Sequence, residues 1–336
     1  MNILRALILF TLLFSGLHSE EIVRKIERHI RPGAQGTPTP VDFSVYIIDV
    51  LDISDVERTV TVDYIWLMMW NDPRLADGNY EGIKNKLDMT LDDIWHPHVS
   101  QVNLKSAQIN DRILNVDSDG NVAYRVRQKD TFTVPLNLHR FPFDEQSISL
   151  KFMSTHYGQG EISLQWNQER SGYLGDFSIP GWTFKSVSHK PTVMTMKGGN
   201  RDLFGIDLQI HLERNSGFYV WKVFVPLSLI VFMAWSVFWI DPANFAGQVA
   251  ISTSSVITLI AFQLSLTQLL PKISYLTEID IFVLATSILV FLALGEAIFT
   301  ARLAKSGKHD ISLNIDRWMR YLYPVFFVIL LLFVIF

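Results

Sequence analysis

The sequence predicts an exported all-β sandwich, immunoglobulin-like in type, followed by a bundle of four transmembrane helices. Although 49% of the 336 residues are hydrophobic, they are spread unevenly along the chain. Residues 20–216 are mixed in character, and their short segments alternate between apolar and polar residues, which is typical of half-buried strands. Residues 217–336 are dominated by long apolar runs, which are typical of membrane-spanning helices.

The first 40 residues carry the features of an export signal and a linker. Arg5 is followed by an apolar run from Ala6 to Leu17 and then by small or polar residues, the order found in secretory signal peptides. We expect residues 1–19 to be this signal, with an uncleaved anchor as the alternative. Residues 20–40 are charged and then rich in Pro and Gly, which indicates an N-terminal segment and a linker.

Residues 41–216 form the predicted sandwich, which we expect to act as a ligand-sensing domain. About ten short strands over this length, with no helical pattern between them, favour a sandwich over a parallel α/β sheet. Turn signals such as Asp117–Gly120 separate the strands, and we expect an acidic turn at Asp49–Glu57. The predicted strands are Val41–Ile48, Arg58–Trp70, Val122–Gln128, Asp130–Val134, Ser147–Met153, Glu161–Trp166, Thr183–Ser188 and Ile206–Glu213.

Four apolar segments in residues 217–336 are long enough to cross a bilayer as helices. We place the transmembrane helices at 218–240, 245–270, 277–302 and 317–336. With an exported amino terminus, the carboxyl terminus also lies outside, and the loop 302–317 faces the cytoplasm. The basic residues of that loop agree with the positive-inside rule. They are Arg302, Lys305, Lys308 and Arg317.

The second apolar segment, from Gln248 to Leu270, is rich in Ser, Thr and Gln. A heptad spacing that starts at Ala250 selects one face of this helix. In a ring of about five helices that face would line a wet tube, in which Ile257 and Leu264 form an apolar constriction that can gate by dewetting. The alternative is that the polar side chains hydrogen-bond between packed helices, and periodicity does not decide between the two. The predicted pore-lining residues are Ala250, Ser254, Ile257, Ala261, Leu264 and Gln268.

Composition and motifs argue against several classes of protein. The net charge of −4 does not suit a nucleic-acid-binding protein, which requires a basic face. The chain has no cysteine, so disulfides, Cys-ligated zinc and thiol nucleophiles are excluded. We find no nucleotide-binding or hydrolase motif, and we expect no catalytic residue, metal site or cofactor, and therefore no enzyme. The alternative to a channel is a membrane-anchored sensor or binding protein without a pore.

Several short motifs stand at informative places along the chain. They are Trp70-Asn71-Asp72, Trp95-His96-Pro97, Phe141-Pro142-Phe143-Asp144, Pro226, and Leu270-Pro271-Lys272 with Tyr275. With the order of sandwich and spans, they make the chain resemble a prokaryotic pentameric ligand-gated ion channel of the Cys-loop receptor family. His98 stands where the family has Asp, and Val134 and Ile148 stand where the family has two cysteines. The loop between those two positions is therefore unbridged, as in bacterial members.

This resemblance implies a homopentamer, in which four identical partner subunits join each chain around one pore in a lipid bilayer. It implies a ligand- or proton-gated channel in the cell inner membrane, with the sandwich in the periplasm. The family places apolar gate rings at Ile257 and Leu264. The residues that correspond to its coupling cluster, which joins the sandwich to the membrane domain, are Asp55, Asp144, Arg214, Pro271 and Lys272.

The stimulus has weaker signals in the sequence. The family's ligand cleft is aromatic, but its central aromatic position corresponds to Thr155 here. We take Trp66, Tyr157 and Phe204 as candidates for a small-molecule ligand cleft, with core packing as the alternative for the first two. His139 is the candidate proton sensor, because histidine changes its charge near neutral pH. Small cationic ligands are the alternative stimulus.

Acidic residues near the ends of the second segment predict cation selectivity. The stretch Ala246-Gly247-Gln248 lacks the arginine that the resemblance leads us to expect in an anion channel. Asp241 is the nearest charge, and a ring of its copies at the cytoplasmic mouth would attract small monovalent cations. Glu296 lies inside the third segment, close before Arg302, and we expect it to snorkel to the cytoplasmic water.

Overall fold

The computed structural model describes residues 29–33, 36–76, 89–175, 177, 179–195, 202–267 and 273–335. The predicted signal peptide lies outside these residues, and so do Gln268, Pro271 and Lys272. The described chain forms a β-sandwich that leads directly into four long helices.

The strands of the described residues build two sheets around a common core. They are β1 (Thr39–Ser54), β2 (Thr59–Asn71), β3 (Val99–Gln101), β4 (Leu104–Val116), β5 (Asn121–Thr133), β6 (Glu145–Ser154), β7 (Ile162–Trp166), β8 (Gly172–Tyr173), β9 (Trp182–Thr195) and β10 (Asp202–Arg214). One sheet has the order β4-β5-β2-β1-β7, with β8 beside β1, and the other has the order β3-β6-β10-β9. Neighbouring strands are antiparallel, except that β7 and β8 run parallel to β1.

Alternation along the strands places the core between the two sheets. In β2 every second residue from Val60 to Trp70 is buried, while the residues between them are partly exposed. The Phe152 ring of β6 meets Phe43 of β1 at 5.1 Å and Tyr64 of β2 at 5.8 Å between ring centroids. The predicted sandwich of about ten strands is therefore confirmed.

Three parts of the strand prediction are wrong. β1 continues to Ser54 through the expected turn at Asp49–Glu57, because Val50 is buried and two bulges keep the strand paired with β2. The prediction omits β4, which lies at a sheet edge with nearly all of its side chains exposed and therefore shows no alternation. β5 is also one strand rather than two, since both of its neighbours pair across Lys129.

Four helices of the described chain are long and apolar enough to cross a membrane. They are α1 (Gly217–Trp239), α2 (Phe245–Leu266), α3 (Glu278–Lys305) and α4 (His309–Ile335). In α1 a π-helical turn at Val220–Phe224 stands just before Pro226. Proline has no N–H to donate to the preceding turn, which accounts for this local departure from α-helical geometry.

The turn between α3 and α4 is much shorter than the predicted loop 302–317. α3 continues to Lys305, and α4 already begins at His309. The Ser312 side chain is fully buried, and its hydroxyl donates to the Thr300 carbonyl of α3 at 3.0 Å. The polar residues at the start of α4 therefore pack as a helix against α3, although their polarity resembles that of a loop.

The sandwich contributes directly to the core of the helical domain. Leu138 and Phe141, which lie between β5 and β6, belong to the same buried cluster as Phe224 of α1 and Phe282 of α3. β10 ends at Arg214, and only two residues separate it from α1. The two domains are therefore joined by packing as well as by the chain.

Candidate functional site

A buried ion-pair cluster lies at the boundary between the two domains. The Arg214 guanidinium donates to both carboxylate oxygens of Asp55 at 2.7 Å. It also donates through Nε to Asp144 Oδ1 at 2.7 Å and through Nη2 to Asp144 Oδ2 at 3.3 Å. The structure thus brings three of the predicted coupling residues together. The other two, Pro271 and Lys272, lie outside the described residues.

The surroundings of Arg214 keep water away from this cluster. Arg214 is 7% exposed and Asp144 only 2%. The guanidinium lies over the rings of Trp182 at 4.1 Å and Phe141 at 4.7 Å. Burial disfavours the charge on Arg214, but its hydrogen bonds to the Asp55 and Asp144 carboxylates, with the attraction of their charges, outweigh burial and raise the pKa of Arg214 above its ordinary value. Removing this cation would leave the buried Asp144 carboxylate without a counter-charge, although the Gln146 amide still donates to it.

The loop that precedes β6 inserts aromatic side chains into the outer end of the helical domain. We call residues 134–144 the Phe141 loop. Phe141 is fully buried, and its ring meets Tyr219 of α1 at 4.7 Å between centroids. Phe143 reaches Phe224 of α1 at 5.9 Å. Because Asp144 ends this loop, the ion-pair cluster and the contact with α1 are parts of one short segment.

The Phe141 loop also caps the start of α3. The N–H groups of Glu278 and Ile279 donate to the carbonyls of His139 and Phe141, each at 3.1 Å. The first N–H groups of a helix have no partner within that helix, so the loop supplies acceptors that no earlier turn can. The ion-pair cluster and the start of α3 are therefore connected through the backbone of the Phe141 loop.

α2 turns one face towards its own chain and another face away from it. The side chains that pack inside the chain are Gln248, Ser252, Ser255, Val256, Leu259 and Leu266. The five described residues of the predicted pore face are all exposed in the single chain: Ala250, Ser254, Ile257, Ala261 and Leu264. Ile257 is 61% exposed and Leu264 66%, which leaves two large apolar side chains uncovered on this face.

The polar side chains of α2 are divided between these faces. Gln263 donates to the Ser287 hydroxyl of α3 at 2.6 Å, so packing between helices accounts for part of the polarity. Ser254 and Thr258 are exposed, and their hydroxyls donate to carbonyls one turn earlier at 2.8 Å. Their oxygen lone pairs remain free to accept from water. Packing within the chain thus explains one face of α2 and leaves the other face polar and uncovered.

Two of the three predicted ligand-cleft residues lie in the core of the sandwich. Trp66 and Phe204 are each 7% exposed, and the Trp66 ring packs on Tyr124 at 5.8 Å. Trp66 points inward because it occupies a buried position of the alternating strand β2. Tyr157 is partly exposed, and its hydroxyl accepts from Trp95 Nε1 at 2.8 Å. These residues therefore do not form an open aromatic cage in this chain.

Three histidine rings pack against one another beside Tyr157, with angles of 41° and 31° between successive ring planes. We call His96, His98 and His156 the histidine stack. The ring centroids of His96 and His98 are 3.7 Å apart, and those of His98 and His156 are 4.0 Å apart. Burial first, and then the neighbouring His96, His156 and His29, lower the pKa of His98 to about 4. Neutral rings can stack this closely, whereas protonation would bring like charges into contact.

The sequence does not predict that the three residues of the histidine stack lie together. His98 and His156 are far apart in sequence, and they meet because the loop before β3 and the loop after β6 lie side by side. The Thr155 N–H donates to the His98 carbonyl at 3.1 Å and fixes this contact. The available signals were two departures from the family pattern, His98 in place of Asp and Thr155 in place of an aromatic residue.

His139 and Asp241 lie at opposite ends of the helical domain, and both are exposed. The His139 ring stacks on Tyr275 at 4.0 Å between centroids, at the outer end. Asp241 lies in the turn between α1 and α2, at the inner end. Its Oδ1 accepts from the Ala243 N–H at 2.8 Å and lies 3.9 Å from Nε2 of His309. Asp241 is thus placed beside the start of α4 as well as near the start of α2.

Comparison with known families agrees with this architecture in both halves of the chain. The family model described as the neurotransmitter-gated ion-channel ligand-binding domain matches residues 18–216. The model described as the neurotransmitter-gated ion-channel transmembrane region matches residues 223–313. The chain therefore belongs to the neurotransmitter-gated ion-channel family, as a multi-pass membrane protein in which an extracellular ligand-binding sandwich precedes the membrane helices of a ligand-gated channel.

Proposed function

We propose that identical copies of the chain form a pentamer around one pore, which the exposed face of α2 lines and through which small monovalent cations pass. The observation that carries this proposal is that the face of α2 with the Ser254 and Thr258 hydroxyls is left uncovered by its own chain. In hydrocarbon this face would leave acceptors such as the Ser254 and Thr258 hydroxyls without donors, which is costly. A position on a shared, water-filled axis provides those donors.

Ile257 and Leu264 would form the gate of this pore. Both side chains are exposed on the pore face, and they lie about two helical turns apart. A ring of five apolar side chains can empty a narrow pore of water and so stop ions without a mechanical plug. Ser254 and Thr258 flank the Ile257 ring with hydroxyls, so that the dry section stays short.

Opening would start in the sandwich and reach the pore through the Phe141 loop. Arg214 ties this loop to β10 and to the turn after β1, and the loop in turn caps α3. α2 packs against α3, for example through Gln263 and Ser287, so a shift of α3 displaces the pore helix. Arg214 is therefore proposed as the coupling residue, with Asp55 and Asp144 as its partners.

We propose protons as the stimulus, acting on the histidine stack and on His139, with small cationic ligands as the alternative. The pKa of His98 falls from its ordinary value of 6.5 to about 4 in this arrangement. The stacked arrangement is therefore fully stable above pH 6.5, and it loses stability as the pH falls from there towards 4. Acid would drive the chain out of this arrangement and open the pore.

We place the channel in a bacterial inner membrane, with the sandwich in the periplasm and both termini outside the cytoplasm. The absence of cysteines at Val134 and Ile148 and the short turn between α3 and α4 support a resemblance to bacterial members. Residues 1–19 would then act as the export signal.

Replacing Ile257 by Ser tests the gate. We expect the resting open probability to rise at least about tenfold, which corresponds to about 1.4 kcal/mol in the opening equilibrium, because water can then enter the constriction. The measurement is single-channel recording in planar bilayers without a stimulus. Leu292→Ser on α3 is the control, since Leu292 is similarly exposed at 59% but lies off the pore face. An unchanged resting open probability in the Ile257 variant would remove it from the gate.

Replacing Arg214 by Gln tests the coupling. We expect surface expression to persist while activation requires a much stronger stimulus, because Asp144 is left buried without its cation. Currents from Arg214→Gln, Asp144→Asn and the double variant give a coupling energy, for which we expect about 0.5–3 kcal/mol. Lys185→Gln, at the exposed pair with Glu213, is the control and should have little effect. Simple additivity of the two single variants would speak against a shared interaction.

Replacing His98 by Asn tests the proton stimulus. Asn tolerates the left-handed backbone of this position, where φ is 50°, and it removes the ring from the histidine stack. We expect wild-type current to rise as external pH falls from 6.5 towards about 4, and the variant to need lower pH for half-activation. His139→Asn is measured in parallel, and His189→Asn, which is outside the histidine stack, is the control. Wild-type current that stays flat across this range would exclude protons as the stimulus.

The reversal potential in a salt gradient tests the selectivity. We expect it to lie near the cation equilibrium potential, and Asp241→Lys should move it towards the chloride potential, because the variant replaces an acidic ring by a basic one. Asp310→Lys, which changes an exposed acid at the start of α4, is the matched control. A wild-type reversal potential near the chloride equilibrium potential would overturn cation selectivity. If the Asp241 variant has the same reversal potential as the control variant, residues other than Asp241 set the selectivity.

A further inference from the structure

A buried polar group joins the inner ends of three helices. Its members are Gln248 at the start of α2, Glu296 in the second half of α3 and Asp316 in the first turns of α4. The Asp316 carboxylate accepts from the Gln248 amide and lies within hydrogen-bonding reach of the Glu296 carboxyl group. Gln248 and Asp316 are both 0% exposed, and neither carboxylate oxygen of Glu296 has measurable exposure to solvent. The expectation that Glu296 snorkels to the cytoplasmic water is therefore wrong. We call these three residues the inner polar group.

The inner polar group has more acceptors than donors. The Gln248 amide donates to the Ile240 carbonyl at 3.1 Å and to Asp316 Oδ2 at 3.5 Å. Within the described part of the chain, no donor reaches either Glu296 oxygen, Asp316 Oδ1 or Gln248 Oε1. Buried acceptors in this state are costly, and native proteins rarely leave them unpaired. The group therefore requires at least one further donor.

The nearby hydroxyls are already committed to main-chain carbonyls. Thr300 Oγ1 lies 3.0 Å from the Glu296 carbonyl, and Ser312 Oγ lies 3.0 Å from the Thr300 carbonyl. The nearest cation is Arg320, four residues after Asp316 on α4 and so on the same helix face. Its Nε donates to the Phe238 carbonyl at 2.8 Å, and its guanidinium lies over the Trp239 ring at 4.7 Å.

The charges of the inner polar group and its neighbouring cation do not balance when both carboxyl groups are ionised. Two ionised carboxylates beside one guanidinium leave one excess negative charge in a buried place. An isolated buried charge is strongly unfavourable, whereas one added proton cancels it and also supplies a donor. The other charged groups of this end are exposed or partly exposed and contribute mainly through water: Arg302 and Lys305 on α3, Lys308 in the turn, Asp310 and Arg317 on α4, and the pair Asp241–His309. The count is therefore set by Glu296, Asp316 and Arg320.

We propose that Glu296 and Asp316 bind one shared proton from the cytoplasmic side, and that this proton holds the inner ends of α2, α3 and α4 together. A carboxyl group of one residue then donates to the carboxylate of the other across the contact between α3 and α4. A calcium ion would fit less well, because it takes six to eight oxygen ligands and this group offers about four.

The shared proton would act on the pore helix through Gln248. Its amide is bonded both to Asp316 and to the turn that precedes α2, so it fixes the inner end of that helix. If the proton leaves, two carboxylates repel each other and the contact between α3 and α4 loosens around Gln248. Cytoplasmic alkalinity would then loosen the inner end of α2, independently of any stimulus that acts on the extracellular sandwich.

Infrared spectroscopy of the purified channel in lipid bilayers tests the proton directly. At pH 7 we expect a carbonyl stretch from a protonated, buried carboxylic acid in the wild type. The band should be lost in Glu296→Gln and equally in Asp316→Asn, although each variant keeps one of the two carboxyl groups. The reason is that a single carboxylate is balanced by Arg320 and needs no proton. Asp310→Asn, which removes an exposed acid, should keep the band.

Two results would overturn the proposal. One is a wild-type spectrum without such a carbonyl band, or with a band that neither variant removes. The other is a band that survives in Asp316→Asn, since Glu296 would then be neutral by itself without sharing a proton. Size-exclusion chromatography of each variant checks that the assembly is intact, and Glu296→Gln preserves the size of the side chain if Asp316→Asn fails to assemble. Because the band does not depend on conduction, failure of this proposal is separable from failure of the proposed channel function.

Discussion

Hydrocarbon cannot satisfy polar groups, and this constraint accounts for most of what distinguishes the helical domain. α2 carries many hydroxyls and amides, and the structure divides them into a set that packs inside the chain and a set that stays uncovered. Gln263 donates to Ser287 of α3, whereas within the described residues the Ser254 and Thr258 hydroxyls bond only to carbonyls of their own helix. In the proposed pore, water on the central axis would donate to this second set. At the inner polar group, which is buried from solvent, the proposed shared proton supplies the missing hydrogen-bond donor.

The junction between the domains follows a related rule for charges. Arg214 is almost completely buried, and it is stable there because two carboxylates and two aromatic rings surround it. The same segment that supplies Asp144 also caps α3 with its carbonyls and inserts Phe141 among the helices. One short loop thus carries the electrostatic, the hydrogen-bonded and the apolar contacts of the junction. This concentration joins the extracellular ligand-binding domain to the membrane helices through one short segment.

The sequence predicts the features that depend on local periodicity or on motif spacing. The core strand β2, the four apolar spans and the residues of the ion-pair cluster belong to this class. Prediction from the sequence fails for features that depend on contacts between segments that are distant in sequence. β4 shows no alternation because it lies at a sheet edge, Trp66 turns out to be a core residue, and the start of α4 looks polar because its partner is another helix. The histidine stack and the inner polar group join residues from separate segments, so no local pattern reveals them.

In the proposed pentamer the exposed face of α2 lines a water-filled pore, and chemical labelling tests this directly. The chain contains no cysteine, so single cysteines can be introduced along α2 and treated with a charged, water-soluble thiol reagent during current recording. We expect the reagent to block current irreversibly when the cysteine replaces Ser254, Ile257 or Ala261, and to have no effect when it replaces Ser255 or Leu259, which are buried against the chain. Block at the buried positions, with the exposed face unaffected, would contradict this account.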